Sequence, residues 1–273
     1  VSGTTKITKD PVGLVIADYA VRAIEASGLL KDGFSFQTGA GGASLAAAKY
    51  LKDVMLAKNI KGSYGLGGIT SYMVDMLNEG CFKALYDVQC FDLGAVESIR
   101  TNPKHMEVTA AHYASPTAKS SAVDSLDVVI LGATEIDTNF NVNVHTDSNG
   151  YIMGGSGGHS DTAAGAKMSM IVAPLSRARL PIVVDNVLCK STPGNTVDVL
   201  VTQRGIAVNP LRPELSEAFK DAGLPVYDIM DLRDMAEKLN GKPHKPVLGD
   251  KEVAKVIYRD GTHLDTIYNV PVK

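Results

Sequence analysis

The feature that most limits the fold of this chain is the apolar run LDVVIL at residues 126–131, which only Asp127 interrupts. A strand that is apolar at consecutive positions is covered on both faces, as in a parallel sheet with helices on each side. Before this run, glycine-bounded strands alternate with segments of helical periodicity, which predicts a parallel sheet. Between residues 166 and 208, strands follow one another without helices, so we expect some antiparallel pairs. The predicted fold is therefore α/β, with a mixed, mostly parallel sheet flanked by helices.

The predicted elements follow from periodicity and from glycine and proline boundaries. Helices are predicted at residues 10–33, 42–59, 69–80, 212–223 and 229–241. Strands are predicted at 34–39, 61–68, 84–92, 126–137, 166–175, 180–188 and 197–208, and the turn RDG at 259–261 predicts a hairpin within 251–270. We expect a single domain over residues 1–273, with a sub-domain near 135–165 as the alternative.

Composition argues against several classes of protein. Hydrophobic residues make up 45% of the 273 positions and charged residues 21%, which is ordinary for a soluble globular protein. The net charge is −3 and no Lys/Arg run suits nucleic acid. No apolar run reaches the ~18 residues needed to span a membrane, and no signal peptide is recognisable. Three cysteines without metal-ligand spacing favour reduced thiols in a cytoplasmic protein, and the six histidines form no spaced metal pair.

Three glycine-rich loops give the strongest indication of a ligand site: TGAGGAS (38–44), GLGGIT (65–70) and GGSGGHSD (154–161). The first two follow a predicted strand and open a helix, whose free N–H groups suit anions. Ligands of open α/β sheets bind beyond the carboxyl ends of strands, so we expect the three loops to converge on one cleft. The glycines assigned to binding are Gly41, Gly42, Gly67, Gly68, Gly154, Gly155, Gly157 and Gly158. The alternative for such a cluster is a flexible surface turn.

No nucleotide fingerprint accompanies these loops. Neither GxGxxG nor GxxxxGK[ST] occurs, which argues against a Rossmann dehydrogenase and a P-loop NTPase.

Polar residues near the loops are candidate catalytic and binding groups. Glu135 and Asp92 end predicted strands, and either carboxylate is a catalytic candidate. Asn141 belongs to an amide-rich stretch, His159 lies inside the third loop, and Arg204 could clamp a carboxylate. The alternatives are a turn-stabilising amide, a hydrogen-bonding or helix-capping histidine, and a surface charge.

Seven segments together resemble the citrate lyase alpha-chain family: FSFQTGAGGASLA, GSYGLGGIT, DVQCFDLGAVES, LDVVILGATEIDTNFNVNVHT, GGSGGHSDTA, STPGNTVDVLVTQRGIAVNP and YRDGTHLD. The resemblance covers nearly the whole chain. Because the family's alpha chain is twice as long, it implies that this is the C-terminal half of a longer chain. More distantly, LGATEID and GGSGGHSD resemble the coenzyme A-transferase family, whose domain is NagB/RpiA-like and whose two similar halves share one active site.

The resemblance implies a reaction and a set of partners. An acetyl thioester on the acyl-carrier (gamma) subunit is exchanged for a citryl thioester, and acetate is released. The thiol belongs to the carrier's phosphoribosyl-dephospho-coenzyme A group, or to coenzyme A itself, and no cofactor is bound covalently to this chain. The implied partners are the beta and gamma subunits and the N-terminal half of the same chain, within an oligomer. In this interpretation the glycine loops hold N–H groups near the thioester oxygen, which becomes negative during acyl transfer.

One departure from the wider family concerns the nucleophile. Many coenzyme A-transferases carry a glutamate in a Ser-Glu-Asn-Gly-type motif, whereas this chain has CFDLGA, with Asp92 near that place. The departure favours direct exchange, through a mixed anhydride of acetate and citrate, over a covalent enzyme thioester. Other possibilities are a non-catalytic scaffold half that binds the carrier and a coenzyme A-transferase for another small carboxylic acid. A sugar-phosphate isomerase is a further alternative, although the glycine loops have no lysine or arginine set close by.

Overall fold

The structure is a computed structural model and describes residues 5–271. Its helices are α1 (Pro11–Ala26), α2 (Gly42–Ala57), α3 (Ser71–Asn78), α4 (Leu93–Thr101), α5 (Ala110–Ala114), α6 (His159–Gly165), α7 (Pro213–Asp221) and α8 (Ile229–Asn240). The first eight strands are β1 (Phe36–Thr38), β2 (Gly62–Ile69), β3 (Phe82–Cys90), β4 (His105–Glu107), β5 (Val128–Leu131), β6 (Glu135–Asp137), β7 (Val142–Asn143) and β8 (Met168–Val172). The remaining strands are β9 (Ser176–Arg177), β10 (Leu180–Pro181), β11 (Val183–Val184), β12 (Val199–Thr202), β13 (Gly205–Val208), β14 (Val226–Tyr227), β15 (Glu252–Ile257) and β16 (His263–Tyr268).

A nine-stranded sheet in the order β14-β13-β12-β8-β5-β1-β2-β3-β4 forms the centre of the fold. Every neighbouring pair is parallel except β12 with β13, which form an antiparallel hairpin. From β1 the chain first adds strands on one side, through β2 to β4, and then crosses over to add β5 on the other side. The sheet therefore has its topological switch point between β1 and β5. The prediction of a mixed, mostly parallel α/β sheet is confirmed.

Both faces of this sheet are covered, as the apolar run of β5 predicts. Val128 and Ile130 pack into the core under α1–α4 and α7, whereas Val129 and Leu131 pack into the core under α5, α6 and α8. Each such side chain contributes roughly 1.5 to 3 kcal/mol when fully buried. The charge that interrupts the run is also explained. Asp127, at the entrance to β5, accepts hydrogen bonds from the Ser35 amide (2.8 Å) and from the Lys167 ammonium (2.7 Å), which fixes β1 beside β5.

The boundaries of α1 show how local chemistry sets the elements. The Asp10 carboxylate caps the helix by accepting from the Val12 amide, and Pro11 occupies the first turn, where its missing N–H costs nothing. The helix ends at Ala26, short of the predicted residue 33, because Gly28 and Gly33 both adopt positive φ (74° and 86°). Only glycine reaches that region easily, so these two residues turn the chain towards β1.

The predicted strand 126–137 is wrong as a single element. The chain leaves the main sheet after β5, crosses residues 132–134, and continues as β6 in a separate three-stranded sheet, β11-β6-β7. Two of its strands, β6 and β7, lie within the region near 135–165 that was the alternative sub-domain, and β11 lies outside it. Sequence periodicity also missed the short helices α4, α5 and α6. The predicted hairpin is confirmed as β15 and β16, with Gly261 at φ +87° in the connecting turn.

Within residues 5–271, no helix is both long enough and apolar enough to cross a membrane.

Candidate functional site

A cavity of about 520 Å³ lies at the topological switch point. Its lining includes the last residue of β1 and of β5 and the residue after each of them: Thr38, Gly39, Leu131 and Gly132. Gly68 of β2 and the third glycine loop also contribute, at Ser156, Gly157 and Gly158. The prediction that the three glycine loops converge on one cleft is confirmed, because strands that run parallel bring their carboxyl ends to the same edge of the sheet.

The third loop enters this cavity in a conformation that depends on glycine. Gly157 has φ +54°, and an added Cβ there would meet open space. Gly158 lies against the Tyr113 ring, 2.5 Å from where its Cβ would be. The N–H groups of both glycines donate no hydrogen bond to any residue within 5–271. Two backbone donors are thus free beside the cavity.

His159 is buried at the wall of the cavity and is held in one tautomer. Its Nε2 lies 2.9 Å from the Gly132 carbonyl oxygen, so Nε2 carries the proton, and Nδ1 accepts from the Thr192 hydroxyl at 2.7 Å. Burial disfavours the charged imidazolium and lowers the pKa of His159 to about 4. The residue is therefore neutral near pH 7, and it ties the third loop to the end of β5.

Gln37, in β1, is a site residue that the sequence did not reveal. Its Nε2 donates to the Tyr113 hydroxyl at 2.8 Å, and burial raises the pKa of that tyrosine to about 12. Gln37 is only 7% exposed, yet its Oε1 has no hydrogen-bond partner within the described residues. Gln37 lines the cavity, but this oxygen is itself shielded from solvent, so it carries the cost of a buried unpaired acceptor.

The carboxylate that lines the cavity is Asp161, which lies within the third loop motif but was not singled out from the sequence. Burial raises its pKa, and the nearby Arg259 guanidinium partly opposes that effect. Arg259 Nε lies 3.2 Å from Asp161 Oδ1, and its Nη2 donates to the Ala114 carbonyl. The YRDG turn between β15 and β16 therefore contacts the third glycine loop.

Asp92 lies one residue beyond the cavity-lining Phe91 and caps α4. Its carboxylate accepts from the Ser71 amide and hydroxyl (2.8 and 2.6 Å), from the Ala95 amide (3.0 Å) and from the Thr5 hydroxyl (3.0 Å). Partial burial opposes ionisation of Asp92, but these hydrogen bonds outweigh it and lower the pKa. Asp92 thus lies close to the cavity, as predicted, but with its oxygens occupied by donors.

The expectation that Glu135 lines the glycine cavity is wrong. Because the chain leaves the main sheet at Gly132, Glu135 instead borders a second cavity, between residues 184–188 and 242–246. It is 5% exposed, and its Oε2 accepts from Asn143 Nδ2 (3.2 Å) and the Leu188 amide (3.0 Å).

Asn141 is also not at the glycine cavity. Its Nδ2 donates to both carboxylate oxygens of Asp137, and its Oδ1 accepts from the Gly194 amide. This agrees with the alternative of a turn-stabilising amide, since neighbouring Phe140 has φ +63° and the stretch is not continuously extended.

Of the remaining predicted residues, Gly68 lines the glycine cavity, and the others lie around it without lining it. Gly41 caps α2, and the Gly42 carbonyl accepts from the Thr8 amide. Gly67 has φ +101° and lies against the Gln37 side chain, while cavity-lining Gly68 leaves room for the Phe91 ring. Arg204 is exposed in the turn between β12 and β13 and does not line the cavity.

Gly154 and Gly155 line a neighbouring cavity, also of about 520 Å³, together with His145 and residues 254–257 of β15. Ser156 lines both this cavity and the switch-point cavity.

Comparison with known proteins gives consistent results. Residues 1–270 match the family model of the citrate lyase alpha subunit. The citrate lyase alpha chain of Escherichia coli (strain K12) is 50% identical over 269 residues, covering 98% of this chain and 53% of the relative. The chain therefore spans about half the length of the curated relatives it matches.

Comparison with solved structures agrees with this family match. A crystal structure described as the alpha subunit of citrate lyase from Streptococcus mutans, in complex with citrate, superposes with a TM-score of 0.96 at 48% identity and covers 99% of this chain and 53% of that one. A 4-hydroxybutyrate CoA-transferase from Porphyromonas gingivalis shares the fold alone, with a TM-score of 0.53 at 18% identity over 85% of this chain and 56% of that one. The family match and the identity over nearly the whole sequence show that this chain belongs to the citrate lyase alpha-subunit family.

Proposed function

We propose that this chain forms one side of the site at which an acetyl thioester on an acyl carrier is exchanged for a citryl thioester. The observation that carries the proposal is the switch-point cavity, where the glycine loops meet the carboxylate of Asp161 and the Gln37 side chain. Membership of the citrate lyase alpha-subunit family supports it. So does the related Streptococcus mutans structure, which is in complex with citrate.

The exchange needs two acyl-transfer steps. A carboxylate oxygen of citrate attacks the acetyl carbonyl carbon, the C–S bond breaks, and the thiolate leaves with its electron pair. The thiolate then attacks the citryl carbonyl of the resulting mixed anhydride, and acetate leaves. Each step builds negative charge on a carbonyl oxygen. The free N–H groups of Gly157 and Gly158 lie where such charge can be stabilised, and one such donor is typically worth about 3 kcal/mol.

Asp161 and His159 have different roles in this scheme. Burial raises the pKa of Asp161, the Arg259 guanidinium opposes that effect, and the ion pair between them holds the carboxyl group beside the cavity. His159 stays neutral and bonded on both nitrogens, so it positions the Gly132 carbonyl and the third loop and does not act as a base. We assign Asp161, in place of Glu135 or Asp92, as the carboxylate on which exchange depends.

A thioester-bearing arm fits the residues present. Gly39 and Gly132 have no non-neighbouring atom within 3.8 Å of an added Cβ, so the space for a close approach to the backbone already exists. The arm supplies the reacting thiol and its acyl group, and this chain supplies the donors around them.

The proposal is tested with the full natural polypeptide and its acyl carrier. Asp161→Asn should slow exchange by roughly 10²-fold or more through misplacement of the reacting groups, whereas Glu135→Gln, the matched carboxylate outside the cavity, should slow it by less than about tenfold. An unaffected rate in Asp161→Asn together with a large loss in Glu135→Gln contradicts the assignment.

The direct-exchange mechanism is tested separately by mass spectrometry after incubation with acetyl thioester and borohydride. We expect no reduced adduct on Asp92, Glu135 or Asp161. An adduct on any of these residues would establish a covalent enzyme intermediate.

Two alternatives are less well supported. A non-catalytic scaffold half would not require a carboxylate beside the glycines, yet Asp161 lies there. A sugar-phosphate site requires cations around a phosphate, but among residues 5–271 no lysine or arginine lines the switch-point cavity.

A further inference from the structure

The carboxyl end of β3 carries a glutamine whose side chain the fold leaves unpaired. Gln89 is exposed and lines the switch-point cavity. Its backbone N–H donates to Asp87, whereas its carboxamide makes no hydrogen bond to any residue within 5–271. A carboxamide presents an NH₂ donor and a C=O acceptor side by side. Both groups of Gln89 are therefore available to a molecule bound in the cavity.

A β-bulge directs this glutamine towards the cavity. Leu85 packs into the core under α1–α4 and α7, and regular alternation along β3 would send Gln89 to the same face. The pairing register with β2 shifts between Asp87 and Gln89, so β3 holds one extra residue there. As a result Cys90, in place of Gln89, packs against that core, and the consecutive residues Val88 and Gln89 both line the cavity.

A buried hydrogen-bond network holds the bulge. The Asp87 carboxylate, on a residue only 1% exposed, accepts from the Gln89 N–H at 2.7 Å and from the Cys90 thiol at 2.9 Å. His105 Nε2 donates to the same carboxylate at 3.1 Å, and its Nδ1 accepts from the Ser98 hydroxyl at 2.9 Å. Both of these partners are buried. The backbone of Gln89 is thus fixed, and its carboxamide projects from a rigid strand end.

The chemistry of a free carboxamide limits what Gln89 can bind. No lysine or arginine within residues 5–271 lines the cavity, so a carboxylate there is bound by neutral donors, of which the Gln89 NH₂ group is one. The Gln89 C=O group needs a donor from the ligand. Ionised acetate has no donor and satisfies one end of the amide. Citrate carries a hydroxyl group and a carboxylate on the same carbon, and it satisfies both ends.

We propose that Gln89 determines specificity for the entering acid: its NH₂ group donates to a carboxylate of citrate, and its C=O group accepts from the citrate hydroxyl. The inference rests on the proposed thioester exchange and names how the entering acid is distinguished from the acetate that leaves. A cation at this position would bind both acids through their carboxylates alone, so the neutral amide is the group that reads the hydroxyl.

The test combines variants of Gln89 with an analogue of citrate. Tricarballylate is citrate without the hydroxyl group. Gln89→Met removes both ends of the amide at similar length, and Lys83→Met, at an exposed position of β3 outside the cavity, is the matched control. Titration calorimetry of the full natural polypeptide, with no thioester present, gives a Kd for each acid. Because Gln89 is exposed, thermal unfolding should stay unchanged in its variants.

We expect the wild type to bind citrate at least about fivefold more tightly than tricarballylate, and Gln89→Met to reduce this ratio at least about threefold. Lys83→Met should leave it unchanged. Gln89→Glu keeps an acceptor for the hydroxyl but replaces the NH₂ donor with a charged oxygen. Both acids should then bind about tenfold more weakly or worse, with their ratio preserved within about twofold.

Three results would overturn the role of Gln89: a wild type that does not prefer citrate, a ratio that falls less than about threefold in Gln89→Met, and an equal fall in Lys83→Met. Each leaves the proposed function standing if the wild type exchanges thioesters normally. A wild type that shows the hydroxyl-dependent preference but exchanges no thioester would refute the proposed function and leave Gln89 as the residue that reads the acid. If binding is too weak for calorimetry, the KM of citrate and the Ki of tricarballylate during exchange give the same ratio.

Discussion

Because His159 is buried and neutral, we expect the free energy of unfolding to fall in mild acid. A single substitution of His159 measures how much of that fall is due to this residue. The folded pKa is about 4, against an ordinary value of 6.5, a difference of about 2.5. Because the folded-state pKa is depressed, the unfolded chain binds the proton first, so the stabilisation is complete above pH 6.5 and is lost as the pH falls towards 4. At about 1.4 kcal/mol for each pH unit, the total is roughly 3 kcal/mol, of which about 2 kcal/mol is lost by pH 5.

The matched variant is His159→Gln, which keeps an amide donor for the Gly132 carbonyl but cannot titrate. Urea unfolding of both proteins at intervals from pH 8 to pH 4.5 gives two curves of unfolding free energy. Other titrating groups, including half-buried His145, are common to both proteins and cancel in the difference. We expect the wild type to lose about 2 kcal/mol more than the variant by pH 5. Parallel curves would show that His159 is already protonated, or already solvated, in the folded protein, and the tautomer assignment would fall with it.

Three further predictions concern the walls of the switch-point cavity. Gly158→Val should lower the free energy of unfolding by roughly 1 to 3 kcal/mol, because the Tyr113 ring occupies the space that the new side chain needs. Gly157→Val should lower it by only about 1 kcal/mol, because of the positive φ of Gly157, and should still slow exchange at least tenfold. Equal losses of stability in urea for the two variants would contradict the packing argument. Asp92→Ala removes the cap of α4 and should cost about 0.5 to 2 kcal/mol in the same assay while exchange continues, so a variant of normal stability that has lost exchange would restore Asp92 as the catalytic carboxylate. Arg259→Met removes the positive charge beside Asp161, so the pKa of Asp161 should rise and the acid limb of the rate–pH profile should move to higher pH; a limb that does not move would exclude Asp161 as the group that titrates.

The parts of the site that the sequence predicted are those fixed by the main sheet. The loops after β1 and β2 follow strands of recognisable periodicity, and parallel strands necessarily bring their carboxyl ends together. Glu135 could not be placed in the same way, because an apolar run does not mark where β5 ends. The chain leaves the main sheet at Gly132, so a carboxylate only three positions later faces a different cavity.

Other site residues depend on contacts between distant parts of the chain. In the sequence, Gln37 is an ordinary strand residue. In the structure its Nε2 donates to the hydroxyl of Tyr113, 76 positions along the chain, and its Oε1 has no hydrogen-bond partner within the described residues. Asp161 gains its ion pair from Arg259, 98 positions along. No local pattern encodes such pairings, although both residues lie in motifs that the sequence singled out.

The central position of β1 has a consequence for the order of folding. Phe36 pairs with Gly65, 29 positions along the chain, and with Val128, 92 positions along. Closing the longer loop costs about 1 kcal/mol more chain entropy, so the block from β1 to β4 is expected to form first and β5 to dock onto it afterwards. The switch-point cavity does not exist until that docking step, since one wall belongs to each side. A molecule bound there contacts both sides of the junction between β1 and β5, so it opposes local opening of that junction. Its stabilising free energy grows with the logarithm of its concentration divided by its Kd.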